Sequence, residues 1–180
     1  KEWSVLNSEL TPCSGYDPCL DQVDQIVVSG KDIYASLAFH TPDDLYSPKW
    51  TLARCDENNN WSAVSPPDGD NNSFKFYRLA MFRGQLVAAG SFTNATNPAI
   101  RNVALYDGTG WQPLDQGFDH EVYAMAGNDQ LLCVSHRSVP YGYLPVYALS
   151  CWDGVSWSQV GTNHFRTDAV YGVFLNSDGV

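Results

Sequence analysis

Two histidines stand where a soft metal ion would find them. His40 directly follows the apolar run Leu37-Ala-Phe39, and His136 directly follows Leu131-Leu-Cys-Val-Ser135. In each case a strand-like run gives way to a long polar connection, and Trp50 closes the one that His40 opens. Two imidazoles with a third soft or aromatic ligand suit Cu(I), or Zn(II) completed by water. His40, His136 and Trp50 are therefore a candidate copper set. His120 and His164 form a second pair, each shortly before a later strand-like run. A hard cation has its own candidate: Asp68-Gly-Asp70-Asn-Asn72 places oxygen side chains at alternate positions, as calcium loops do, though no bidentate Glu closes it. The same residues also read as ordinary turn and strand-end residues. Ser135-His136 and His120-Glu121 are sequence neighbours, so on a strand their side chains leave opposite faces and do not act together. The chain lacks Gly-x-Ser-x-Gly, His-Glu-x-x-His, a phosphate-cradling Gly-rich loop and Cys-x-x-Cys, and it is expected to be non-catalytic.

What must position these residues is a repeat. Arg54-Cys-Asp-Glu-Asn-Asn-Asn-Trp61, Leu105-Tyr-Asp-Gly-Thr-Gly-Trp111 and Cys151-Trp-Asp-Gly-Val-Ser-Trp157 share a short β segment, an Asp-led turn and a Trp. Val64, Leu114 or Val160 follows three residues after that Trp, and Lys1-Glu-Trp3-Ser-Val-Leu6 copies the last part. Upstream, each copy has an alternating strand (Ile26-Val-Val-Ser, Tyr77-Arg-Leu-Ala-Met, Val122-Tyr-Ala-Met) and a polar turn. A more apolar second strand, a longer connection and a third strand complete the order. Asp107-Gly108 and Asp153-Gly154 supply the positive-φ positions of tight hairpins.

Four short antiparallel strands per 46 to 50 residues is the pattern of a propeller blade. No ten-residue window carries helical periodicity. The fold expected is all-β: residues 1–180 as one small or irregular β-propeller of four-stranded antiparallel blades. The blades fall near 22–66, 74–117 and 122–162, and a partial blade at 170–180 is closed by residues 1–10. Each fourth-strand Trp is expected to spread its apolar face across the gap to the next blade.

At Gly90-Ser-Phe-Thr-Asn94, Val103-Ala-Leu-Tyr-Asp-Gly-Thr-Gly-Trp111 and Val122-Tyr-Ala-Met, the chain resembles secreted kelch-like and delta-60-type propeller repeats over most of residues 22–175. That resemblance implies a blade architecture on a cell surface and leaves the ligand open. More generally, in being acidic, β-rich, poor in His and rich in Trp, the chain is similar to small copper-binding surface proteins of methane-oxidising bacteria. Those hold Cu(I) with two histidines and a Trp oxidised to kynurenine, two residues before a ligand His. No Trp-x-His occurs here.

Composition narrows the partners. Apolar residues make up 44% and charged residues 17%, a globular balance. The net charge of −10 excludes a phosphate-neutralising, nucleic-acid-binding surface. No run approaches the roughly 18 apolar residues of a membrane helix. Cys133 and Cys151 fall near register on adjacent strands for a disulfide, Cys13 and Cys19 flank a small loop, and Cys55 is left over. A disulfide places the protein in an oxidising compartment, secreted or on the cell surface. The sequons at Asn60, Asn71 and Asn94 agree with that. The leading reading is a non-catalytic binding protein for a protein or glycan ligand. Its contacts are aromatics of the long second-to-third-strand connections, Tyr46, Trp50, Tyr141 and Tyr143. The alternatives are a surface copper(I)-acquisition protein and a carbohydrate-binding module.

Overall fold

Small and β-branched residues dominate Gln85–Thr93, and the run from Leu86 to Gly90 is buried without a break. A strand buried on both faces needs a layer on either side. The computed structural model supplies those layers, and describes residues 19–41, 44–66, 74–138, 146–161 and 172–175. Among the described residues, twelve strands make three four-stranded antiparallel sheets, each following the order of the chain. The first sheet holds β1 (Cys19–Ser29), β2 (Asp32–Thr41), β3 (Asp44–Cys55) and β4 (Trp61–Val64). The second holds β5 (Lys75–Phe82), β6 (Gln85–Thr93), β7 (Arg101–Tyr106) and β8 (Trp111–Pro113). The third holds β9 (Val122–Gly127), β10 (Leu132–Arg137), β11 (Tyr147–Trp152) and β12 (Trp157–Gln159). No helix occurs among the described residues, and none is long and apolar enough to cross a membrane.

The second sheet lies between the other two. One face carries Phe76, Leu79, Leu86, Ala88 and Ala104, which pack with Tyr34, Leu52 and Val64 of the first sheet. The other carries Ala80, Val87, Ala89 and Val103, packed with Met125, Leu132, Val134 and Trp152 of the third. Alternation along β6 therefore feeds two cores, one residue to each side in turn. The first strands are neighbours as well: β5 contacts both β1 and β9. At Gly127 the approach is so close that a Cβ would sit 2.3 Å from the Met81 carbonyl oxygen, so only glycine lets β9 meet β5 there.

The fourth-strand tryptophans correct one expectation. Trp111 packs on the core shared with the first sheet and donates its indole N–H to the Ser65 carbonyl at 2.8 Å. Trp157 packs on the core shared with the second sheet and donates to the Leu114 carbonyl at 3.1 Å. Each Trp therefore faces the preceding sheet, not the next. Trp61 follows the same rule of face, packing on Ala35, Leu37 and Ala53 on the side away from the second sheet. That side also exposes Ile26 and Val28. Trp3, the sequence copy of this feature, lies outside the described residues.

The turns before these tryptophans share one chemistry. The Asp107 carboxylate accepts from the backbone N–H groups of Thr109 and Gly110, and Asp153 accepts from Val155 and Ser156. Asp56 accepts from Asn58 and Asn60. Gly108 and Gly154 have φ of 96° and 102°, and Asn59 takes the left-handed place in the first sheet at 63°. Cys133 and Cys151 face each other in the β10–β11 ladder and form a disulfide, with Cα atoms 4.1 Å apart.

Candidate functional site

Each first strand is interrupted before it reaches its hairpin, β1 twice and β5 and β9 once. The β1–β2 ladder skips Asp21 and Asp24, the β5–β6 ladder skips Tyr77, and the β9–β10 ladder skips Tyr123. Asp24, Tyr77 and Tyr123 each stand five residues before the strand-one hairpin turn, so a β-bulge recurs at the same place in every sheet. A bulge steps one residue out of the ladder register and re-aims its side chain. Two of the three positions hold tyrosine. The Tyr77 and Tyr123 rings stack across the second and third sheets, 5.8 Å between centroids and 12° from parallel.

The third strands extend this pair into a row. Trp50 lies opposite Ala38 in the β2–β3 ladder, and Tyr147 lies opposite Arg137 in the β10–β11 ladder, equivalent positions in their sheets. Trp50 meets Tyr77 edge-on at 6.3 Å, and Tyr147 meets Tyr123 edge-on at 5.6 Å. Trp50, Tyr77, Tyr123 and Tyr147 thus form a continuous aromatic row across three sheets. It lies at the end opposite the strand-one hairpins, where the second strands lead into the third. Trp50, Tyr77 and Tyr123 are half-buried, and Tyr147 is buried.

A cleft of about 240 Å³ lies between β6 and β7 of the second sheet and the connection that leads into β9, lined among others by Thr93, Asn102, Asp119, His120 and Glu121. Its walls are held by polar bonds. Asn102, with φ of 60°, accepts from the Phe92 N–H at 2.9 Å and donates to the Phe118 carbonyl at 2.8 Å. Arg101 pairs with Asp119 at 2.6 Å.

Of the residues singled out from the sequence, the described ones, Trp50, His120 and His136, do not come together. His136 sits inside β10, not after it, because that ladder runs on to Arg137. Its ring lies 4.2 Å from that of Phe118, in the seam between the second and third sheets. Both of its nitrogens are engaged. The Arg137 carbonyl only accepts, so Nδ1–H donates to it at 3.2 Å, and in the neutral ring Nε2 accepts from the Ser150 hydroxyl at 3.1 Å. His40 also lies within its strand, since β2 runs to Thr41, which pairs with Asp44. Only two residues separate β2 from β3, so Tyr46 and Trp50 are strand residues and not part of a long connection. The side chains of His40 and Tyr46 lie outside the described residues, as do Asp68, Asp70, Asn72, Tyr141, Tyr143 and His164. Trp50 belongs to the seam between the first and second sheets, so the second sheet stands between it and His136. Among the described residues no group of three or more His, Cys, Asp or Glu is placed to hold a metal ion.

Two further residues of the sequence reading can be placed. Asn94 is 7% exposed, and its side-chain oxygen accepts from the Thr96 and Asn97 backbone N–H groups, so this sequon is spent on a turn. Cys55 is a buried free thiol whose pKa is raised by burial first and by the Asp56 and Asp32 charges after it. Sequence reasoning missed Tyr77 and Tyr123 as a pair. Their constant distance from the hairpin turn was the available signal.

Compared with known proteins, the chain matches no family model, and no curated protein matches it significantly. The site therefore rests on its geometry.

Proposed function

We propose that this chain is a non-catalytic, extracellular or surface-associated binding protein on a small β-propeller, with each sheet one blade. Sequential strand order, neighbouring first strands, a shared bulge position and the turning of Trp111 and Trp157 to the preceding sheet support the blade reading. The Cys133–Cys151 disulfide is compatible with an oxidising compartment. The observation that carries the binding role is the row of Trp50, Tyr77 and Tyr123. Half-buried aromatics gathered from separate sheets on a rigid scaffold are the usual material of recognition surfaces. The protein–glycan alternative is separated by experiment. The full chain is screened by tryptophan fluorescence against an array of soluble oligosaccharides and an array of extracellular peptides. Binding to one array that falls at least tenfold in both Trp50→Ala and Tyr123→Ala, with the circular dichroism spectrum unchanged, supports the reading. Binding that survives both substitutions moves the site elsewhere and overturns it.

A further inference from the structure

Among the described residues, the seam between the first and second sheets contains two buried polar atoms that no protein group satisfies. The Trp50 Nε1–H and the Ser36 hydroxyl both lack a hydrogen-bond partner, and Ser36 is 0% exposed. They share one face. Trp50 stands opposite Ala38, and Ser36 is two residues from Ala38 along the same strand, opposite Leu52. Leu52 belongs to the core between these sheets and Trp50 touches Tyr77, so the face is the one turned to the second sheet. Ser36 and Trp50 are therefore diagonal neighbours across a β ladder, roughly 7–8 Å apart at Cα.

Buried donors and hydroxyls left without a partner are rare, because losing water without replacement is costly. The apolar neighbours Ala38 and Leu52 cannot help. Gln25 faces Ser36 from β1, but its carboxamide is turned to the Leu79 N–H and makes no bond to the Ser36 hydroxyl. Opposite the indole stands the small Ala38, where the third sheet has Arg137. The second sheet provides an internal contrast. Its residues at the two equivalent positions are Ala89 and Arg101. Ala89 has no polar side chain, and Arg101 is satisfied by the Gln116 carbonyl and Asp119. The serine recurs in the third sheet as Ser135, again with an unpartnered hydroxyl and again with an aromatic, Tyr147, in the place of Trp50.

We propose that this seam binds an ordered internal water, which accepts from Trp50 Nε1–H and bonds the Ser36 hydroxyl. Water is the smallest guest that both accepts and donates, and buried waters serve such orphaned groups. It ties the aromatic row to the sheet beneath it, and the equivalent place beside Ala89 stays dry.

A crystal structure of the full chain with ordered solvent resolved should place a water within 3.5 Å of both atoms, and none beside Ala89. In solution the Trp50 indole proton should show dipolar transfer from water. In Ser36→Ala that transfer should weaken, and exchange of the indole proton with deuterated solvent should rise about tenfold, the effect of losing one hydrogen bond. A dry seam, or an indole proton bonded to a protein oxygen, overturns the proposal. So does a Ser36→Ala protein whose indole exchange is unchanged. The wild-type measurements stand even if that variant folds poorly.

Discussion

Tyr77 and Tyr123 are 46 residues apart in the chain, yet their rings stack 5.8 Å apart and join the first strands of two sheets. If the stack couples those sheets, the two side chains should not act independently. Tyr77→Leu, Tyr123→Leu and the double variant, unfolded in urea, should give a coupling energy of about 0.5–1.5 kcal/mol. Additive effects would mean that the rings merely lie close.

The indole bonds predict a contrast between tryptophans. Trp157→Phe removes the bond to the Leu114 carbonyl and Trp111→Phe the bond to Ser65. Each should cost about 1 kcal/mol beyond the change in packing. Among the described residues Trp61 has no such indole bond, so Trp61→Phe should cost clearly less. Equal losses at all three positions would show that the indole nitrogen contributes nothing.

Acid should loosen the hairpin turns. The carboxyls of Asp56, Asp107 and Asp153 are all held below the ordinary carboxylate range, chiefly by the backbone N–H groups they accept from. A folded pKa below the unfolded value means stability that is present above about pH 4 and lost as the pH falls through the folded values. The urea midpoint should therefore drop steadily below pH 4. Asn at all three positions keeps an acceptor oxygen and removes the titration, so its midpoint should vary less there. An acid slope identical to that of the wild type would place the effect elsewhere.

The disulfide should be structural. It closes a loop of 18 residues, for which the chain-entropy estimate is about 3 kcal/mol. Cys133→Ser with Cys151→Ser should lose stability on that order. In the native protein Cys55 should react only slowly with a thiol reagent and quickly once unfolded, because it is buried. Rapid native labelling would contradict its placement.

Packing at the close approach of β5 and β9 is equally exposed to test. Gly127→Ala drives a methyl group into the Met81 carbonyl and should cost about 1–3 kcal/mol by thermal or urea unfolding. A neutral substitution would show that the two strands part easily.

Much of the architecture was legible in the chain. Asp-Gly and Asp-led turns, period-two alternation and evenly spaced tryptophans are local signals, and they name twelve strands in three groups of four. The Cys133–Cys151 pair was legible for the same reason, since adjacent strands joined in sequence have a readable register. Several facts were not local. The side to which a Trp turns depends on how successive sheets pack, and no spacing reveals it, so Trp111 and Trp157 point back to the preceding sheet. Strand ends depend on pairing, so His40, His136 and Trp50 fell inside ladders that outran the apolar runs. Above all, the row of Trp50, Tyr77, Tyr123 and Tyr147 comes from four strands of three sheets. The amino-acid order determined where each ring sits along its own strand. Only the packing of sheet on sheet decided that these rings would meet, because contact between sheets depends on faces and angles that a single strand does not encode.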